Sequence, residues 1–158
     1  MLAPLLGLSL PLLLATDAPP VEPAAEPPLG PPLEWIRSCL GEARSETAVA
    51  SCRGRWANEC QTRPDHMPTV GISGCLADEL AAWEELRLEV HARLLKSADE
   101  YDLHMPRGGP SVRTSLQASK AAWEAYRDAH CEYEYSEYAG GTRRGPVGGA
   151  CELRLTAE

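Results

Sequence analysis

The sequence contains no phenylalanine. A folded core must therefore be built from Leu, Ala, Val and Tyr together with four tryptophans. Also missing is any apolar run of about 20 residues, the length that a membrane-spanning helix needs. No C-x-x-C pair occurs, and His66, His91, His104 and His130 show no ligand-like spacing to one another, which argues against a zinc site. Neither a G-x-x-x-x-G-K-S/T phosphate loop nor a nucleophile elbow is present, so no cofactor and no catalytic residue is implied. There is no basic stripe, and a formal net charge of −8 makes nucleic acid a poor partner. What is there is a chain of 158 residues, long enough for one domain. It is 44% hydrophobic and 24% charged, as a folded globular chain should be.

The front of the chain reads as processing and spacing rather than fold. Leu2 to Ala15 is apolar, interrupted by Gly7, Ser9 and two prolines. No Lys or Arg precedes it, yet its length suits the apolar stretch of a secretory signal peptide over residues 1–15, with cleavage after Ala15. Residues 16–32 are rich in Pro, Ala and Glu, with Pro pairs at 19–20, 27–28 and 31–32. Such a segment buries no core and favours extended, polyproline-like conformations, so it is expected to be a disordered linker. Six cysteines agree with export to an oxidising compartment, periplasmic or extracellular, where an even count implies disulfides.

From residue 33 to 158 helical periodicity dominates, and no alternating strand pattern stands out. The expected fold is all-α, a small disulfide-stapled bundle of about four helices. The first covers Glu34 to Ala43. Ser45 caps a second that runs to about Cys60. The prolines and glycines of residues 61–74 read as a loop. The third helix spans about Cys75 to Asp99, with Leu76, Leu80, Trp83, Val90 and Leu94 largely on one face. Ser111 caps the fourth, which ends near Tyr138 and turns Leu116, Trp123, Tyr126, His130 and Tyr133 inward. Trp35, Trp56, Trp83 and Trp123 fall one per helix, as core anchors would.

Six cysteines allow 15 pairings. If residues 47–60 form one helix, Cys52 and Cys60 stand about 12 Å apart along its axis, too far for a bond. A hairpin turning near Ser45 places Cys39 beside Cys52, the following loop returns Cys75 to Cys60, and Cys131 takes Cys151. Each closes a local loop, contributing about 3 kcal/mol on a chain-entropy account.

The most distinctive stretch is residues 123–141, WEAYRDAHCEYEYSEYAGG. Trp123 and Arg127 are neighbours at i and i+4, where a guanidinium can lie on an indole face. Cys131 continues that stripe, and Gly140 and Gly141 suit a helix end. Gln117, Trp123, Tyr126, Arg127, Asp128, Cys131, Gly140, Gly141, Thr142, Cys151 and Thr156 together resemble the signature of the LprI-like lysozyme-inhibitor family. Cys39 and Cys52 are similar to that family's first cysteine pair. The segment carrying Cys60 and Cys75 looks like an addition found in some branches, and Leu88 and His91 stand where the family usually has Asn and Tyr. The resemblance implies a periplasmic binding protein, not an enzyme, whose partner is a basic lysozyme. Tyr133, Tyr135 and Tyr138, interleaved with Glu132, Glu134 and Glu137, have the composition of an interface. Arg143 and Arg144, on the basic loop that follows, are the expected contacts to an acidic cleft. The alternative is an envelope interaction module that inhibits nothing; a pull-down recovering another envelope protein, without any lysozyme effect, would favour it.

Overall fold

The computed structural model describes residues 29–158 apart from Arg107. The expected signal segment 1–15 and residues 16–28 of the linker lie outside the described residues. Those described are all-α, with six α-helices and no strand among them. They are α1 (Pro32–Glu42), α2 (Glu46–Ala50), α3 (Arg55–Gln61), α4 (Thr69–His104), α5 (Val112–Ser136) and α6 (Arg144–Thr156).

The helix starts follow from local chemistry. Pro32 opens α1, where the missing N–H costs nothing. The Ser45 hydroxyl accepts from the Ala48 N–H at 3.1 Å and caps α2. Ser111 caps α5 in the same way, its Oγ accepting from the Thr114 N–H at 3.1 Å. Ser111 also donates to Asp102 Oδ2 at 2.7 Å, and that carboxylate further accepts the backbone N–H groups of Val112 and Arg113. Asp102, near the end of α4, therefore ties that helix to the start of α5. The Asp99–Arg113 ion pair at 2.6 Å reinforces the same tip.

Three expectations are corrected. Residues 45–60 are not one helix: the chain turns between α2 and α3, and Gly54 sits there at φ 71°, a left-handed conformation that glycine adopts without steric penalty. The third helix does not begin at Cys75 but at Thr69, after a short 3₁₀ turn over Pro64–His66, and it continues to His104. It passes straight through Gly71 and Gly74. At Gly71 a Cβ would come within 2.5 Å of the His66 Cα, so here the glycine admits a close backbone approach instead of breaking the helix. Of residues 140–151, expected as a basic loop, only the first four are a turn; from Arg144 the chain forms α6, despite four residues of Gly or Pro in that helix's first half. Four expected helices thus become six.

The spine is α4. α1 and α3 pack on one part of it, α5 runs back antiparallel from the tip, and α6 fills the crease between α4 and α5. α6 is parallel to α4: Gly145 lies against Ser73 and Gly149 against Leu76. Gly148 lies against the Tyr135 ring, with a hypothetical Cβ only 3.1 Å away, so α6 approaches α5 closely because it lacks side chains there. The main core gathers Ile36, Trp56, Ala57, Leu76, Ala82, Trp83 and Leu153. Burying side chains of this size contributes about 1.5–3 kcal/mol for each large one. Trp56 and Trp83 are buried as anchors, but Trp35 and Trp123 are only half-buried. Tyr126 and Tyr133, expected inside, are 56% and 60% exposed.

The bonded cysteines are Cys39–Cys52, Cys60–Cys75 and Cys131–Cys151, with Cα separations of 5.9, 5.8 and 5.5 Å. These distances are ordinary for a disulfide. Cys52 and Cys60 do not share a single helix as expected, since Gly54 interrupts it.

Candidate functional site

Three features of the surface meet around α5. The first is an interhelical clamp. The Arg127 and Arg87 guanidinium carbons each lie 5.1 Å from the centre of the Trp123 ring. Arg127 pairs with Glu84 of α4 and with Asp128 at 2.9 Å, and donates to the Thr156 hydroxyl of α6 at 3.3 Å. Arg87 pairs with Glu84 at 2.6 Å and Glu124 at 3.0 Å, and Lys120 joins Glu124 at 2.6 Å. Partial burial pulls the Arg127 pKa down, but hydrogen bonds and charge from Asp128 and Glu84 outweigh it, so the net shift is upward. The Glu124 carboxyl is held below its ordinary value, first by the hydrogen bond from Lys120, despite some desolvation. The clamp joins α4, α5 and α6 with its charges balanced, and it offers no nucleophile.

The second feature is the far end of α5. Arg143 stacks on Tyr138, 5.3 Å from the ring centre, and Arg144 on Tyr135 at the same distance. Tyr133 and Tyr138 are exposed, while α6 half-buries Tyr135. The Tyr133 hydroxyl donates to Glu137 at 3.0 Å, and this bond raises the phenol's pKa. Glu134 is held by Arg154 at 2.8 Å and faces His130 at 3.0 Å. His130 in turn stacks on Tyr126 with ring centres 5.5 Å apart. Gly140, at φ 87°, reverses the chain toward α6, and Gly141 and Thr142 follow it in the exposed turn. Arg143 and Arg144 are therefore not on a free loop: they cap and begin a helix, folded onto aromatic faces. Gln117 lies exposed on the first half of α5, apart from both groups.

The third feature was not anticipated. An open apolar groove of about 630 Å³ runs between α4 and α5, beyond the end of α6. Trp83, Val90, Leu94, Leu116 and Trp123 form its walls, with Leu40 of α1 at one side. The available signal was the Trp83–Val90–Leu94 stripe; nothing in the stripe said that no helix among the described residues covers it. His91 also lines this groove.

Two clusters among the described residues place potential metal ligands together: Cys60, His66 and Cys75, and His130, Glu134 and Cys151. Their sulfurs are all disulfide-bonded, so neither can supply a thiolate.

A family model described as "Lysozyme inhibitor LprI" matches residues 60–158. The chain belongs to the LprI family. The matched region contains the clamp, the Tyr/Arg end and the groove-forming hairpin, and begins at Cys60, after the Cys39–Cys52 hairpin. The chain is also similar to an uncharacterised 17.7 kDa protein encoded in the puhA 5' region of Rhodobacter capsulatus, at 24% identity over 156 residues. That similarity covers 96% of this chain and 91% of the relative. No solved structure matches the chain. LprI membership places the protein in an inhibitor family rather than an enzyme family, and no described helix is long and apolar enough to cross a membrane.

Proposed function

We propose that this chain is an exported protein that binds a lysozyme-type muramidase and blocks its cleft. The observation that carries this reading is the LprI match over residues 60–158. The charge is consistent with it. Animal-type lysozymes are strongly basic, and a chain at −8 attracts such a partner and speeds encounter. Their cleft holds two carboxylates.

The face we assign to the contact is the α5–α6 end, with Tyr133, Tyr135, Tyr138, Arg143 and Arg144. Stacking on Tyr138 and Tyr135 holds the two guanidinium groups near one orientation while leaving them exposed. Side chains ordered in advance lose less entropy on binding. Tyr and Arg are also the residue types that most often dominate interfaces.

The experiment is a titration of the mature full chain against a basic animal-type lysozyme acting on cell walls. Inhibition at micromolar concentration is expected, and its absence would remove the proposal. Replacing Arg143→Ala and Arg144→Ala together should weaken inhibition about ten-fold or more, as loss of hot-spot side chains does. Inhibition that survives this change intact moves the contact to another face.

A further inference from the structure

The outer half of α4 carries an apolar stripe that no helix among the described residues covers. Val90, Leu94 and Tyr101 are 44%, 48% and 67% exposed. With Ser97 among them they repeat at steps of four, three and four, the spacing of a coiled-coil seam. α6 ends at Thr156, before this stretch. Near its tip α4 is held by the start of α5, through Asp99 with Arg113 and Asp102 with Ser111. Leu116 of α5 shares the groove with Val90 and Leu94 and widens the same face.

One edge of the stripe is charged in a particular order. Arg93 and Glu100 each stand one position before Leu94 and Tyr101, seven residues apart and so on one side of the helix. Both are exposed, and neither has a partner of opposite charge among the described residues. The nearby acid Glu89 is held by Arg37. Within one helix Arg93 and Glu100 are kept apart by about 10 Å of axis. A second copy running antiparallel supplies what each lacks. Arg93 then faces Glu100 of the second copy, and Glu100 faces its Arg93. The same register sets Val90 against Tyr101 and Leu94 against the small Ser97, each contact made twice. A two-fold interface has to be self-complementary in this way. A parallel pair brings position 93 to 98 and position 100 to 105, which are Ala and Met, and forms no ion pair.

We propose that the occupant of this face is a second copy of the chain, docked antiparallel about a two-fold axis, with Arg93 of each copy paired to Glu100 of the other. From Leu86 to His104 the face is roughly 27 Å long and, with α5 beside α4, about 20 Å wide. Two such faces cover on the order of 1,100 Å² in total, the small end of specific interfaces. The dimer is therefore weak and reversible. It brings the end of α4 at Met105 over the tryptophan end of the other copy's groove. The proposal does not rest on lysozyme binding, which we assign to the opposite end of α5.

Sedimentation equilibrium of the mature full chain tests it. Between about 5 and 500 µM a monomer–dimer equilibrium is expected, as for small interfaces without large anchors. Arg93→Glu and Glu100→Arg should each weaken dimerisation about ten-fold, because each sets like charges face to face. An equimolar mixture of the two variants should recover it, since one copy then offers two acids and the other two cations. Leu94→Glu should abolish the dimer. All three positions are exposed, so the fold is not at stake. A chain that stays monomeric over the whole range would overturn the proposal. So would a dimer indifferent to the single substitutions, or a mixture as weak as either variant alone. Growth beyond the dimer would mean a contact that does not close on itself, and would end the two-fold reading as well.

Discussion

Glu79 shows how much one side chain decides. It is fully buried on α4, yet it is a carboxylate. Its oxygens accept the Gly54 N–H at 2.7 Å, the Ala57 N–H at 2.6 Å and the Trp83 indole N–H at 3.0 Å. A residue from another helix thus caps α3, whose own N-cap is a glycine with no side chain to do so. Glu79→Ala strands three donors in the core, each worth about 1–3 kcal/mol when left unsatisfied. We expect about 3–5 kcal/mol loss of stability by urea unfolding under non-reducing conditions. A change below about 1 kcal/mol would mean water replaces the carboxylate. The sequence held a hint of this: Glu79 stands within the apolar Leu76–Leu80–Trp83 stripe, where a charge needs a reason. Trp123 carries the opposite lesson. Its spacing with Arg127 correctly suggested a stacked pair, but Arg87 from α4, on the same ring, lies 36 positions earlier in the chain and has no local signature.

At the scale of elements, periodicity located the long helices and Ser45 and Ser111 marked two starts. Glycine was the main source of error, because one residue type serves three ends here. Gly54 breaks a helix through its positive φ, Gly71 lets a turn approach, and Gly148 lets α6 settle on Tyr135. Composition alone does not distinguish them; only the neighbouring backbone does. The tip of the α4–α5 hairpin offers a pH test. Hydrogen bonds from Ser111 first, then Val112, lower the Asp102 pKa below its ordinary 3.8. A carboxylate shifted down contributes stability above its unfolded pKa and loses it as pH falls through the lower folded value. The hairpin tip should therefore loosen first in acid, below about pH 4. Amide exchange at residues 111–114 would report it, and Asp102→Asn should show the faster exchange already at neutral pH. Equal protection in the variant at neutral pH would deny Asp102 its capping role.

For the whole molecule, helical periodicity pointed to an all-α chain, the six cysteines to disulfide staples, and the motif of residues 117–156 to its family. What lay beyond the sequence was the sequence-distant assembly: α6 inserted between α4 and α5, and the groove left where α6 stops. These depend on which helix covers which face, and a stripe on one helix does not name its cover. The three disulfides add a property that belongs to no single element. Each joins cysteines at most 20 positions apart, and none spans the α4–α5 turn. Two crosslinks lie wholly before that turn and one wholly after it. One peptide-bond cut between residues 105 and 111 would therefore convert the chain into two pieces held together only by non-covalent contacts. The pieces should migrate together on native sizing and separate in denaturant without any reductant. The covalent framework thus divides the molecule into two halves, and the contacts of α5 and α6 with α4 are what make them one.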